Sequence, residues 1–198
     1  MAVALLGSGR ASRLYRNLVR DRRAAKDVMA YAFPLVTGSS MLLAWATGYP
    51  GADPVELEAA LVGELSEIIH PRGGKLIVNA DPAWLKGWPV DGVQLNSQRL
   101  AACETRPHFA WVGASCHSRA ELERAAALGL DYALLGHVQA TASHPSQAGL
   151  GWDGLAACLA PAAPLPVFAL GGLRAANLDE ARQAGAQDRK STRLNSSH

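Results

Sequence analysis

The chain has 198 residues, of which 49% are hydrophobic and 18% charged, a balance that excludes a polar disordered chain and lets most of the sequence bury a core. The formal net charge of +2 is carried by residues 188–198, which hold three Lys/Arg against one Asp, so residues 1–187 are neutral as a whole. A local excess lies in residues 10–27, with seven basic residues against two acidic ones. It reads as a solvated basic helix face, because no nucleic-acid motif accompanies it. Cys103, Cys116 and Cys158 are sparse and odd in number with no CxxC spacing, which suits a reducing compartment. No apolar run approaches bilayer-spanning length, and residues 2–6 are too short for a signal peptide. The expected protein is soluble and cytoplasmic, with no membrane or nucleic-acid partner. Its oligomeric state is left open.

In chain order, Gly7-Ser8-Gly9 is a turn, after which Leu14, Leu18, Ala25 and Val28 recur at helical spacing and predict a helix over residues 12–28. Residues 41–47 read as a strand. Asp53-Pro54 opens a second helix reaching residue 69, with Asp as N-cap and Pro in its first turn. The cluster HPRGG at residues 70–74 breaks the chain. Strands are expected at residues 75–79, 90–95, 110–114, 131–136 and 166–170. A helix or turn falls at residues 84–88, and helices at residues 118–128 and 175–184. Ser118 caps the first of these helices, with Glu121 three residues on as a capping box. Apolar strands alternating with helices predict an α/β fold with a parallel sheet or barrel.

The stretch at residues 131–145, DYALLGHVQATASHP, is the most suggestive part of the chain. A short apolar strand ends in Gly136-His137, and a loop rich in hydroxyls and imidazole follows. In α/β barrels, groups at the C-terminal strand ends are those that bind and react.

Two resemblances divide the chain. Residues 3–66, with GSGRASRLYRNLVRDRRAAKDVMAY followed by a strand and a Gly-x-Asp-Pro turn into a helix, resemble the non-catalytic part of pitrilysin/insulinase-type peptidases. That family's HxxEH zinc helix is not in this sequence, and Lys26 stands where the family's tyrosine is usual after Arg20, so the resemblance implies structure without a metal site. Residues 72–187 resemble the thiamine phosphate synthase/TenI family, on LIVNAD, DGVQL, VGASCH, LLGHVQATASHP and FALGG in that order. The GLGWDGL and PVFALGGLR combination is especially like the TenI-type domain fused to Nudix hydrolases. This resemblance implies a (β/α)8 TIM barrel represented by its third to seventh strands, preceded by a small α+β fragment.

Within that family the synthase branch joins a pyrimidine pyrophosphate to a thiazole phosphate with Mg2+ on the pyrophosphate. Where that branch carries its metal aspartates, this chain has Ala80 and Arg99, with Asp81 one residue out of place and His144 replacing a loop lysine. The TenI branch moves a proton on a thiazole carboxylate phosphate without a metal, and its mark is the Gly-His-Val of Gly136-His137-Val138. The resemblance therefore implies tautomerase-like proton transfer with His137 catalytic, since an imidazole takes and returns a proton near neutral pH. It implies binding of a small phosphorylated thiazole by Asn79, Ser115, His117, Thr141, Ser143, Gly171 and Gly172, with no cofactor and no metal. Gln94 replaces a common histidine. The alternatives are the synthase reaction, with Mg2+, a non-catalytic phosphate-binding module, and a non-catalytic subunit of a pitrilysin-type peptidase.

Three domains are expected: residues 1–69, residues 70–187, and a tail at 188–198. The tail DRKSTRLNSSH matches the translation of a sequencing adapter. The chain is accordingly expected to be an assembly chimera carrying an incomplete barrel. Open sheet edges would make it aggregation-prone, with little or no tautomerase activity.

Overall fold

The computed structural model describes residues 12–34, 40–139, 149–160, 165–173 and 175–186. Contacts divide the chain into two compact units, Met1–Val78 with Ala83–Val90, and Asn79–Pro82 with Asp91–His198. The expected tail at 188–198 lies outside the described residues, as do Thr141, Ser143 and His144.

In the first unit, the expected helix over residues 12–28 is shorter and of another kind. A π-helix spans Tyr15–Asp21, and strand β1 begins at Asp27. Leu14, Leu18, Ala25 and Val28 are all buried, but by two different elements. Arg23 takes a left-handed φ of 52°, which ends the helical path between them. β1 (Asp27–Pro34) then pairs antiparallel with β2 (Ser40–Thr47), in a register running from Asp27↔Thr47 to Pro34↔Ser40. Val28 and Ala30 are buried while Met29 between them is exposed, the period-two pattern of a strand with one covered face. The β-rich composition of this segment and a long pairing partner outweigh the helical spacing that the apolar residues also satisfy.

Helix α1 (Pro54–Ile69) follows the expectation closely, with the Asp53 carboxylate accepting from Val55 N–H at 2.8 Å. Its buried face includes Leu61, Val62, Leu65 and Ile68. Glu64 on that helix is 4% exposed and is satisfied twice: Asn17 Nδ2 donates to it at 2.7 Å, and the Arg22 guanidinium lies 3.1 Å away.

The second architecture is a five-stranded parallel sheet of order β3-β4-β5-β6-β7, alternating with helices, a partial barrel as the sequence implies. Its strands are β3 (Ile77–Val78), β4 (Gly92–Leu95), β5 (Trp111–Cys116), β6 (Tyr132–Leu135) and β7 (Val167–Ala169). The helices are α2 (Ser97–Ala102), α3 (Arg119–Ala127), α4 (Gly151–Leu159) and α5 (Leu178–Gln183), the last preceded by a 3-10 turn at Ala175–Asn177. Neither α2 nor α4 is predicted by apolar spacing: α2 is one and a half turns long, and α4 contains two glycines.

Register sorts the sheet into two faces. On one, Val93, Leu95, Val112, Ala114, Cys116, Ala133, Leu135 and Val167 are at most 1% exposed. Leu100, Leu122, Ala125 and Leu155 of the helices are equally buried and complete that core. Each buried Val or Leu contributes about 1.5–3 kcal/mol of apolar transfer free energy. On the other face, Gln94↔Gly113↔Tyr132 and Ser115↔Leu134↔Phe168 form two rows across the strands. This is the face that a closed barrel turns inward. Here Ser115, Tyr132, Leu134 and Phe168 are half-buried, and the Tyr132 and Phe168 rings meet edge to face at 6.3 Å.

The N-terminal end of the sheet is held by Asp131. Its carboxylate accepts from Val112 N–H and from Arg106 Nη2, both at 2.7 Å, and Arg106 also donates to the carbonyls of Gly129 and Phe109. Among the described residues no helix is long and apolar enough to cross a membrane.

Candidate functional site

The C-terminal ends of β5, β6 and β7 meet around Gly136 and His137. Gly136 N–H donates to Cys116 O at 3.1 Å, Leu170 N–H to Leu135 O at 2.8 Å, and Val138 N–H to Leu170 O at 2.9 Å. Gln139 N–H continues the ladder to Gly171 O at 3.0 Å, so the chain beyond His137 runs on beside Gly171. Both glycines are required by this closeness. A Cβ on Gly171 would lie 2.4 Å from the Cβ of His137, and one on Gly136 would lie 2.9 Å from Leu170 O. Gly171 and Gly172 also take left-handed φ values of 92° and 68°, which a residue with a Cβ adopts only under strain.

His117 joins the same cluster from the end of β5. Its Nδ1 is bonded to the Gly136 carbonyl; the carbonyl can only accept, so His117 carries its proton on Nδ1 and leaves Nε2 as the acceptor nitrogen when neutral. Its backbone N–H donates to Glu121 Oε2 at 2.5 Å. This modifies the expected capping box: Ser118 Oγ accepts from Glu121 N–H as predicted, but the Glu121 carboxylate reaches one residue further back than the N-cap. The structure thus brings His117, Gly136, His137 and Gly171 together at three adjacent strand ends.

Ser115 lies one row deeper. Its Oγ accepts from Gln94 Nε2 at 3.0 Å, and its carbonyl accepts from Ser97 Oγ at 3.2 Å. Gln94 is 7% exposed, and its Oε1 has no hydrogen-bond partner among the described residues. Gly113 opposite makes the room: a Cβ there would meet both Gln94 Oε1 and the Tyr132 ring at 2.3 Å. Burial pushes the Tyr132 phenol up to about 12, with the Asp131 charge adding to the effect. In the sequence Gln94 shows only as the replacement of a common histidine. Its place one row below Ser115 on the same face follows from period two once both strands are known.

Asn79 belongs to a separate pair. Its Oδ1 accepts from Arg99 Nη1 at 3.0 Å. Arg99 follows β4 and His137 follows β6, two strand spacings or about 10 Å across the sheet. Thr141 and Ser143, the remaining residues implied as ligand-binding, lie outside the described residues.

These residues do not suit Mg2+. A hard dication needs carboxylate oxygens. Ala80 is buried and offers no donor atom, while Arg99 brings positive charge to the other position where the resemblance implies a carboxylate. Among the described residues, no group of three His, Cys, Asp or Glu is arranged to hold a metal ion.

Comparison with known proteins gives the chain its family. Residues 53–189 match the family model TMP-TENI, thiamine monophosphate synthase. The match includes helix α1, which lies before the breaker at residues 70–74. The chain is 38% identical over 146 residues to "Thiamine-phosphate synthase" of Synechococcus sp. (strain WH7803), covering 69% of this chain and 39% of that protein. It is 39% identical over 144 residues to "Thiamine-phosphate synthase" of Methanoculleus marisnigri, covering 69% of this chain and 64% of the relative. The matched part thus spans between about two-fifths and two-thirds of these relatives. Among solved structures, thiamine phosphate pyrophosphorylase from Pyrococcus furiosus shares the fold, with a TM-score of 0.55 at 24% identity over 69% of this chain and 66% of that one. The names of these relatives back the synthase alternative better than the tautomerase reading drawn from Gly136-His137-Val138. On the match of residues 53–189, the chain belongs to the thiamine monophosphate synthase family.

Proposed function

We propose that the chain works in thiamine phosphate formation, binding a phosphorylated thiazole and a phosphorylated pyrimidine at the C-terminal ends of its parallel strands. The observation that carries this reading is the family match over residues 53–189, with relatives named for that synthesis at 38–39% identity. The geometry supports the phosphate part of it. Left-handed Gly171 and Gly172 follow β7, where a backbone without Cβ atoms lets N–H groups approach an anion closely. His137 stands beside Gly171, and His117 bonds the carbonyl of neighbouring Gly136. Asn79, Ser115, His117, Gly171 and Gly172 are proposed as ligand-binding, together with Thr141 and Ser143. The test is direct: the purified chain is incubated with the pyrimidine pyrophosphate and the thiazole phosphate, with and without Mg2+, and thiamine phosphate is measured. Steady accumulation above a protein-free control supports the coupling reaction; none removes it.

A second reading, proton transfer on a thiazole carboxylate phosphate, is favoured by Arg99 and Ala80 at the positions where coupling calls for metal carboxylates. In that reaction His137 would take a proton from one ring position and return it at another, with no net charge transferred and no metal needed. His137→Gln separates catalysis from binding. Under this reading the variant retains thiazole phosphate affinity and loses turnover of the tautomer by roughly 10²–10⁴-fold. If the variant turns over at the wild-type rate, His137 is no proton-transfer residue; if the wild type never does, the chain is a phosphate-binding module.

A further inference from the structure

We propose that Arg99, positioned by Asn79, is an anion anchor that holds a phosphate or pyrophosphate group directly, without a divalent cation. The inference rests on the reading that this sheet binds phosphorylated ligands, and it concerns how the charge of one such ligand is met. Three observations lead to it.

First, the donor set has the wrong sign for a metal. The guanidinium of Arg99 donates through Nη1 to Asn79 Oδ1 at 3.0 Å, while neighbouring Ala80 is buried and apolar. Second, the pair presents chiefly N–H donors to a ligand. With Asn79 Oδ1 occupied by Arg99, the amide has its two N–H groups left, and the guanidinium has its remaining N–H fork. None of these donors has a partner among the described residues, and Asn79 is exposed and Arg99 half-exposed. Planar forks of this kind match phosphate oxygens in bidentate geometry. Third, the backbone beneath Arg99 is fixed before any ligand arrives. Arg99 N–H donates to Asn96 Oδ1 at 2.8 Å, and Ser97 Oγ ties the start of α2 to the carbonyl of Ser115 on β5. Only the outer torsions of the side chain remain to be ordered on binding, which lowers the entropic penalty.

The chemistry that follows is simple. Two negative charges that a dication would neutralise are met by one guanidinium and by neutral amide donors. Affinity for the anion is then independent of Mg2+ and falls as salt screens the guanidinium.

The experiment is a calorimetric titration of the full chain with inorganic pyrophosphate, once in excess chelator and once with Mg2+ present. The expected result is saturable binding in chelator, changed by less than about threefold when Mg2+ is added. Arg99→Ala should weaken it by roughly ten- to a hundredfold, and Arg99→Lys, which keeps the charge but not the fork, by less. Circular dichroism melts of each variant establish that the fold is retained. Should Arg99→Ala fail to fold, Asn79→Ala provides the second arm, with a loss of about three- to tenfold. Binding that appears only with Mg2+, binding unaffected by Arg99→Ala, or no binding in either condition would each overturn the proposal. Thiamine phosphate formation is assayed in parallel. Pyrophosphate binding without product keeps the anchor and removes the coupling reaction, while Mg2+-dependent product formation does the reverse.

Discussion

Gly171 offers the sharpest test of the packing that positions His137. Replacing it with alanine combines two separable penalties. Its φ of 92° is one that a residue with a Cβ adopts at roughly 1–2 kcal/mol. The new Cβ would also lie 2.4 Å from His137 Cβ and 2.7 Å from His137 Cα, far inside van der Waals contact, and the atoms it meets cannot rotate out of the way. Overpacking of that kind adds about 1–3 kcal/mol, so the expected total is about 2–5 kcal/mol. Gly185 is the matched control. Its φ is 93°, yet a Cβ there would meet only Leu159 side-chain atoms at 3.7–3.8 Å, which is ordinary contact. Gly185→Ala should therefore show the backbone term alone, about 1–2 kcal/mol. Urea unfolding of the wild type and both variants, with m held as a check on the unfolded state, measures the difference. A histidine-labelled NMR spectrum should show the His137 ring signals moving in Gly171→Ala and unmoved in Gly185→Ala. Equal destabilisation by the two substitutions, with His137 unperturbed, would refute the account of how β7 positions the end of β6.

Other outcomes follow from the inner face and from the buried titrating groups. Gln94→Met removes a buried carbonyl oxygen that lacks a partner together with the bond to Ser115, so stability should change by no more than about 1 kcal/mol; a loss above about 2 kcal/mol on urea unfolding would mean that Gln94 Oε1 is paired after all. Cys116 is held protonated in the fold, its thiol pushed up to about 12 chiefly by burial and secondarily by the Glu121 charge, and Tyr132 is raised to about 12 likewise. Groups raised in the folded state stabilise it fully below their ordinary values, so stability should hold to about pH 9 and decline as pH rises toward 12. Cys116→Ala should move the onset of that decline up toward pH 10, where tyrosine ionises in the unfolded chain; an unchanged onset contradicts the assignment.

The parts of the fold that were legible from sequence are those where one local interaction dominates. Asp53-Pro54 announces α1 because a carboxylate cap and a pre-set φ act within one turn, and Ser118 announces α3 for the same reason. The parallel strands showed as apolar runs because one face is covered by helices and much of the other is half-buried. The segment at residues 12–28 misled for a physical reason: its four apolar residues are all buried, and the spacing alone cannot reveal that Val28 lies in a strand paired with β2 and not in the helix. Of the site, His137 and Gly171-Gly172 stood out as strand-end residues. That a Gly171 Cβ would collide with His137, or that Glu121 would bond His117, depends on contacts between residues 34 and four positions apart in geometries that no periodicity encodes.

The central claim is that a phosphorylated thiazole binds at the ends of β5, β6 and β7. It is tested most directly by titrating thiazole phosphate into isotope-labelled full-length chain and following backbone and histidine NMR signals. The account predicts saturable shifts concentrated on His117, Gly136, His137, Gly171 and Gly172, and much weaker ones with the unphosphorylated thiazole. Shifts that fall elsewhere, or that do not depend on the phosphate, would contradict it.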